Sequence, residues 1–235
     1  MPYLAASEYG AGGADLVCAS GPHGAARFRD LGVPGERIIV TGQPRFDHLR
    51  TLHPAPLPGV VTMFTTPFAY ADLGIDRQRR QLSLAAELWQ AFARVGVDFR
   101  IKPHPREDVT DYRAAIPALA VQAGGSIEAL QETALAIIGM STVTEEAGLL
   151  RVPVIVPGDV IHAGRGDDPA LSRDVYPRFD DAQTAVALAM SLLRDGPLRS
   201  DVVERQAVAV AQKVHVDPDA PAAALIADAI CSLMP

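Results

Sequence analysis

The sequence has little of what several function classes depend on. Only two cysteines occur, Cys18 and Cys231, far apart and each inside an apolar segment. That spacing excludes a disulfide framework and a cysteine-based metal site, and both read as reduced core thiols in a cytoplasmic setting. There is one tryptophan, and aromatics make up 6% of the chain. Positive charge is not in excess: 28 acidic against 21 basic residues leave a net charge of -7. A nucleic-acid partner is therefore not expected, because attraction to a phosphate backbone needs the opposite sign. No apolar run is long enough to span a bilayer, and residues 1–13 have neither the basic start nor the apolar core of a signal peptide. Any membrane contact is expected to be peripheral. The G-x-S-x-G and Walker patterns are also missing, which removes nucleophilic hydrolases and P-loop enzymes. Asp217-Pro218-Asp219 matches a metal-binding D-x-D only formally and reads as loop and cap, so no metal or other cofactor is expected.

What is present is the composition of a globular protein, 235 residues with 49% hydrophobic and 21% charged content, enough for one large domain or two small ones. Short apolar runs alternate with segments of helical period. Strands are expected at residues 15–19, 37–41, 60–65, 97–101, near Ala120, at 135–138 and from Val152. Helices are expected at 22–31, at 109–116, from Ser126 and after Ser141-Thr142, with three more closing the chain at 182–193, 201–214 and 221–233. A further helix carries Leu82, Ala85, Leu88, Trp89, Phe92 and Val95 on one stripe, which gives Trp89 a core role. Strands alternating with helices predict an α/β fold, a Rossmann-like parallel sheet with helices on both faces. The Pro-rich HPAPLPG at residues 53–59 reads as a linker between residues 1–52 and a nucleotide-binding domain at 60–235.

Right-handed crossovers gather the turns after successive strands along one sheet edge. Thr65-Thr66, Lys102-Pro103-His104-Pro105 and Ser141-Thr142 are therefore expected in one crevice. The stretch GMSTVTEEAGLLRVPVIVP, residues 139–157, follows a buried strand and opens a helix. A helix start offers unpaired N–H groups, so Ser141-Thr142 can seat a phosphate, and Glu145 or Glu146 can reach a ribose hydroxyl. The same residues also make an ordinary cap that binds nothing. In KPHP two prolines stiffen the turn, so His104 beside Lys102 can donate to phosphate oxygens, or as a cation stabilise charge on a departing nucleotide. A surface histidine in a Pro-rich turn is the alternative. His162 and Arg165 in the loop after the next strand, and Arg45 in GQPRFD, are further possible donor contacts.

Three segments together, IVTGQPRFD, RIKPHPRED and STVTEEAGLLRVPVIVP, resemble the donor half of GT-B glycosyltransferases. The likeness is to the branch with CDP-glycerol glycerophosphotransferases and capsule or polysialic-acid enzymes, with UDP-N-acetylglucosamine 2-epimerases as structural cousins. The resemblance implies donor-phosphate contacts from Lys102, His104, Ser141, Thr142 and Thr66, a catalytic role for His104, and a ribose contact from Glu146. It implies a CMP-, CDP- or UDP-activated donor as substrate, in polysaccharide or teichoic-acid-like polymer synthesis. Gly139-Met140-Ser141-Thr142 stands where the epimerases carry D-S-G-G. An acceptor domain normally precedes G-x-P-R-x-D, so residues 1–52 read as its remnant and a homodimer or a separate acceptor-domain chain as the partner. An epimerase and a non-catalytic nucleotide-binding module are the other two readings.

Overall fold

The computed structural model describes residues 13–68, 74–122, 124–139, 141–158 and 174–233. The chain divides into two compact units. One runs to Leu52 and takes up the chain again from Val208, and the other is His53–Ala207.

In the first unit, β1 (Val17–Ala19) pairs in parallel with β2 (Ile38–Val40), joined by helix α1 (Pro22–Asp30), whose first position is proline. Proline suits that position because it lacks only an N–H that has no helical partner. GQPRFD is more than a turn. Gly42 has φ +82, and a 3-10 helix, Pro44–Thr51, follows at once. The carboxylate of Asp47 accepts the backbone N–H groups of Ala222 at 2.6 Å and Ala223 at 3.1 Å, at the start of the last helix, Ala222–Cys231. Ser20 Oγ donates to the Lys213 carbonyl at 3.1 Å. The tail from Val208, assigned by pattern to the nucleotide-binding domain, thus packs with the first unit. These long-range bonds have no signature in local periodicity.

The reading of Cys18 and Cys231 as core residues is corrected, since both are exposed. Cys18 lies on the outward face of β1, beside its register partner Ile39, itself exposed. Val17 and Ala19 take the buried face. Alternation along the strand put the thiol outside although its neighbours are apolar. Cys231 ends the last helix.

The second unit is built on a six-stranded parallel sheet, order β5-β4-β3-β6-β7-β8. Its strands are β3 (Val60–Phe64), β4 (Asp98–Lys102), β5 (Ala120–Val121), β6 (Leu135–Ile138), β7 (Val154–Pro157) and β8 (Arg178–Phe179). The two-residue β8 was not anticipated from sequence. Val61, Met63, Phe99, Ile101, Leu135 and Ile137 face one core together with helix α2 (Ile75–Arg94) and the helix Ala182–Arg194. Phe92 of α2 stacks on Phe99 with ring centroids 5.3 Å apart. Trp89 packs half-buried against this core, as its stripe predicts. The α2 stripe starts earlier than Leu82, with buried Gln78 and Gln81, and it stops before Val95, which is exposed beyond the helix end.

The alternate residues of the same strands, Thr62, Arg100 and Lys102, face the opposite side of the sheet. There Thr62 and Thr133 share a buried 2.7 Å hydroxyl bond, and Arg100 pairs with Asp98 and Glu132. Helix α4 (Ser126–Glu132) lies beside α5 (Val143–Leu149). Beyond them the helix Gly196–Lys213 is tied to the sheet: Arg199 donates to the Ala134 carbonyl at 2.7 Å, and the buried Gln206 amide bonds both the N–H and the C=O of Val154. No helix among the described residues is long and apolar enough to cross a membrane.

Candidate functional site

The strand order reverses direction between β3 and β6, the point at which open α/β sheets leave a crevice at the carboxyl ends of their strands. Register fixes what lies there. Phe64 is level with Lys102 on one side and Ile138 on the other, so the three chains leave the sheet side by side. A side chain added at Gly139 would start 3.9 Å from Thr66 Oγ1. Thr65-Thr66, the KPHP turn and Ser141-Thr142 are thereby brought to one edge within a single compact unit.

The KPHP turn is held from below by a polar network that sequence reasoning missed. Glu107 Oε1 accepts Gln78 Nε2 at 2.7 Å, Gln81 Nε2 at 3.0 Å and the Tyr112 hydroxyl at 2.8 Å. Its Oε2 accepts the His104 N–H at 3.0 Å and the Thr65 hydroxyl. The His104 N–H is shared with Thr65 Oγ1, also at 3.0 Å. Gln81 brackets Thr66 as well, accepting its N–H at 2.9 Å and donating to its C=O at 3.0 Å. Tyr112 stays a phenol, because burial above all, and the Glu107 charge after it, push its pKa far up. The available signal was two glutamines, Gln78 and Gln81, standing in the apolar stripe of α2. Buried amides need partners, and they find them here.

His104 is half-buried. Its Nδ1 accepts the Arg106 N–H at 3.1 Å, so a neutral ring carries its hydrogen on Nε2. Desolvation lowers its pKa below the usual histidine value, Glu107 opposes this, and Arg106 and Lys102 add to it. Of the two roles the sequence leaves open for His104, this direction favours the neutral donor over the cation. Lys102 is buried at the end of β4, and its Nζ donates to the Pro103 carbonyl at 3.1 Å. Burial lowers the pKa of its ammonium, with Glu128 acting against the shift.

At the second turn, Ser141 Oγ accepts the Val143 N–H at 3.2 Å and its carbonyl accepts the Thr144 hydroxyl at 2.9 Å. Ser141 thus closes a local turn one residue ahead of the N-cap of α5. Thr142 is exposed and makes no side-chain cap bond. Glu145 and Glu146 stand half-buried in the first turn of α5. Ser126, at the start of α4, donates to Glu146 Oε2 at 2.5 Å, which orients the carboxylate. Arg45 lies in the first unit, where it donates to Gln43 Oε1 at 2.7 Å and covers the Phe46 ring at 4.2 Å. His162 and Arg165 lie outside the described residues.

No protein-family model matches the sequence, and no curated protein sequence does either. Solved structures do match. A putative UDP-N-acetylglucosamine 2-epimerase from Listeria monocytogenes aligns with TM-score 0.61 at 18% identity, over 93% of this chain and 60% of that one. S. aureus MnaA, solved with UDP, aligns with TM-score 0.58 at 13% identity, over 94% and 62%. The wall teichoic acid polymerase TagF aligns with TM-score 0.56 at 16% identity, over 93% and 57%. The chain thus spans about three-fifths of the length of each. At these identities the likeness is one of fold: a parallel Rossmann-like sheet flanked by helices, as in one half of a GT-B architecture.

Proposed function

We propose that the chain is the donor-binding half of a transferase that moves a glycosyl or glycerophosphate unit from a CMP-, CDP- or UDP-activated donor in cell-surface polymer synthesis. The observation that carries this reading is the register at the switch point, which sets three polar turns side by side at the ends of β3, β4 and β6. A phosphate placed there meets His104 Nε2–H and the hydroxyls of Ser141, Thr142 and Thr66. Ser141 already accepts a backbone N–H, so its own hydrogen is what it has left to offer. Lys102 supplies positive charge from beneath the turn. Glu146, held by Ser126 through one oxygen, keeps the other for a ribose hydroxyl. His104 is assigned the catalytic contact, donating to the departing phosphate as its charge grows. The acceptor is left to a second copy of the chain or to a separate acceptor domain. The likeness to TagF supports a polymer-forming transferase and the likeness to MnaA, solved with UDP, supports a nucleotide ligand, both through the fold.

An epimerase acting on UDP-N-acetylglucosamine is the second reading, favoured by the 0.61 TM-score and disfavoured by the missing D-S-G-G turn. The test is a thermal melt of the full chain with CMP, CDP or UDP at millimolar concentration, with EDTA present. A ligand that binds only the folded state raises the midpoint, and a rise that survives EDTA is expected. Identical melting curves with and without all three nucleotides overturn the reading. Conversion of UDP-N-acetylglucosamine to its C2 epimer by the chain alone would favour the second one.

A further inference from the structure

We infer that Glu107 is the positioning residue of this site: its carboxylate, clasped by five donors, fixes the turn after β4 so that His104 presents Nε2–H to an anionic ligand. The inference rests on the reading of this edge as a phosphate site. The donors come from four directions. They are Gln78 and Gln81 from α2, the Thr65 hydroxyl from the end of β3, the Tyr112 hydroxyl from α3 (Val109–Ala115), and the N–H of His104 itself. A carboxylate has two acceptor oxygens and no donor, so a shell made only of donors suits it and suits a neutral amide badly. Glutamine at 107 would turn one end of the group into a donor among donors.

The hold reaches the imidazole through two backbone bonds. The His104 N–H is anchored on Glu107 Oε2 and Thr65 Oγ1, which fixes the peptide that carries the ring. Arg106 N–H, two residues on, then lies on His104 Nδ1. Since Nδ1 is occupied as an acceptor, Nε2 is the ring atom left to donate. The charged groups acting on the ring are Glu107, Arg106 and Lys102. Glu107 meets the ring's own peptide N–H, and it is the ring that meets the ligand. That makes Glu107 a positioning residue and not a catalytic one.

The experiment uses the full chain labelled with 15N and the variants E107Q, H104A and the double variant. In the wild type, the amides of His104 and Arg106 are expected to be protected from hydrogen exchange. In E107Q both should exchange about tenfold faster or more, while amides of β3 and β6 stay as they were. CDP affinity should fall about tenfold in E107Q and in H104A, with no further loss in the double variant, since both changes remove the same contact. Unchanged exchange at the two amides, or losses that add in the double variant, overturns the inference. If the wild type binds no CDP, the donor-site reading fails, and the exchange data still decide whether Glu107 holds the turn. If E107Q does not fold, Y112F removes one donor and leaves the carboxylate; it should move the same two amides in the same direction by less, and no movement would overturn the inference.

Discussion

At His104, burial and a committed Nδ1 act in the same direction, and the consequence is a pH dependence with a definite sign. A histidine whose pKa is lowered on folding binds fewer protons in the native state than in the unfolded chain. Its contribution is flat above the unfolded value of about 6.5 and turns unfavourable as pH falls from there toward the folded value. Melting points of the wild type and His104→Asn, taken from pH 8 to pH 5, should therefore converge as pH drops. Parallel curves would mean that the ring titrates normally. For ligands, His104→Ala should weaken CDP more than CMP, by about 1 to 3 kcal/mol for a hydrogen bond to a charged group. Glu146→Ala should instead reduce the preference for CDP over dCDP in calorimetric titration. Ser126→Ala, which releases Glu146 Oε2, should give a weaker form of that effect. The two exposed thiols carry a simpler expectation. Cys18 and Cys231 should both react with Ellman's reagent in the native protein, whereas a thiol silent until denaturant is added would place it inside.

At the scale of elements, the G-x-P-R-x-D segment has packing work that its motif does not record. By resemblance it marked the end of an acceptor domain, and in the structure Gly42 and Asp47 hold the chain together. Gly42 has φ +82, and an added Cβ would clash with the carbonyl oxygen of His215. Left-handed backbone alone costs a side chain about 1 to 2 kcal/mol, and a clash with backbone adds to it. Gly42→Ala should therefore lower stability to urea by more than about 2 kcal/mol. Asp47→Ala leaves two N–H groups at the start of the last helix without their acceptor, and a cap of this kind is worth about 0.5 to 2 kcal/mol. A Gly42→Ala protein as stable as the wild type would show that this segment packs differently. By contrast, α2 was legible for most of its length, because Ala85, Leu88 and Phe92 keep helical spacing and are fully buried. Its first two turns were not, since their inward residues are glutamines and a hydrophobic stripe does not register them.

At the scale of the whole molecule, the polar turns at the switch point all lie within His53–Ala207. Hydrogen exchange of the full chain with and without CDP should show protection at residues 65–66, 103–107 and 141–146, with β1 and β2 unchanged. Protection at β1 and β2 in place of those turns would move the site to the other unit. The Pro-rich stretch read as a linker carries no regular element, and His53 opens the second unit. At the other end of that unit the helix Gly196–Lys213 runs unbroken past Ala207, so no break marks where one unit gives way to the other.

The local pattern by itself determined the alternation of strands and helices, the parallel sheet that such alternation requires, and hence the gathering of Thr66, Lys102, His104, Ser141 and Glu146 toward one edge. Strand period, turn residues and crossover handedness are properties of short segments, and they survive in a single sequence. Tertiary structure alone decided what holds Glu146, why Glu107 matters and what Asp47 caps. Each of those depends on partners far away in the chain: Glu107 meets Thr65 from 42 residues off, Ser126 meets Glu146 across 20, and Asp47 reaches Ala222 across 175. Hydrogen bonds at that separation follow from the packing of elements on one another, which the spacing of residues along the chain does not record.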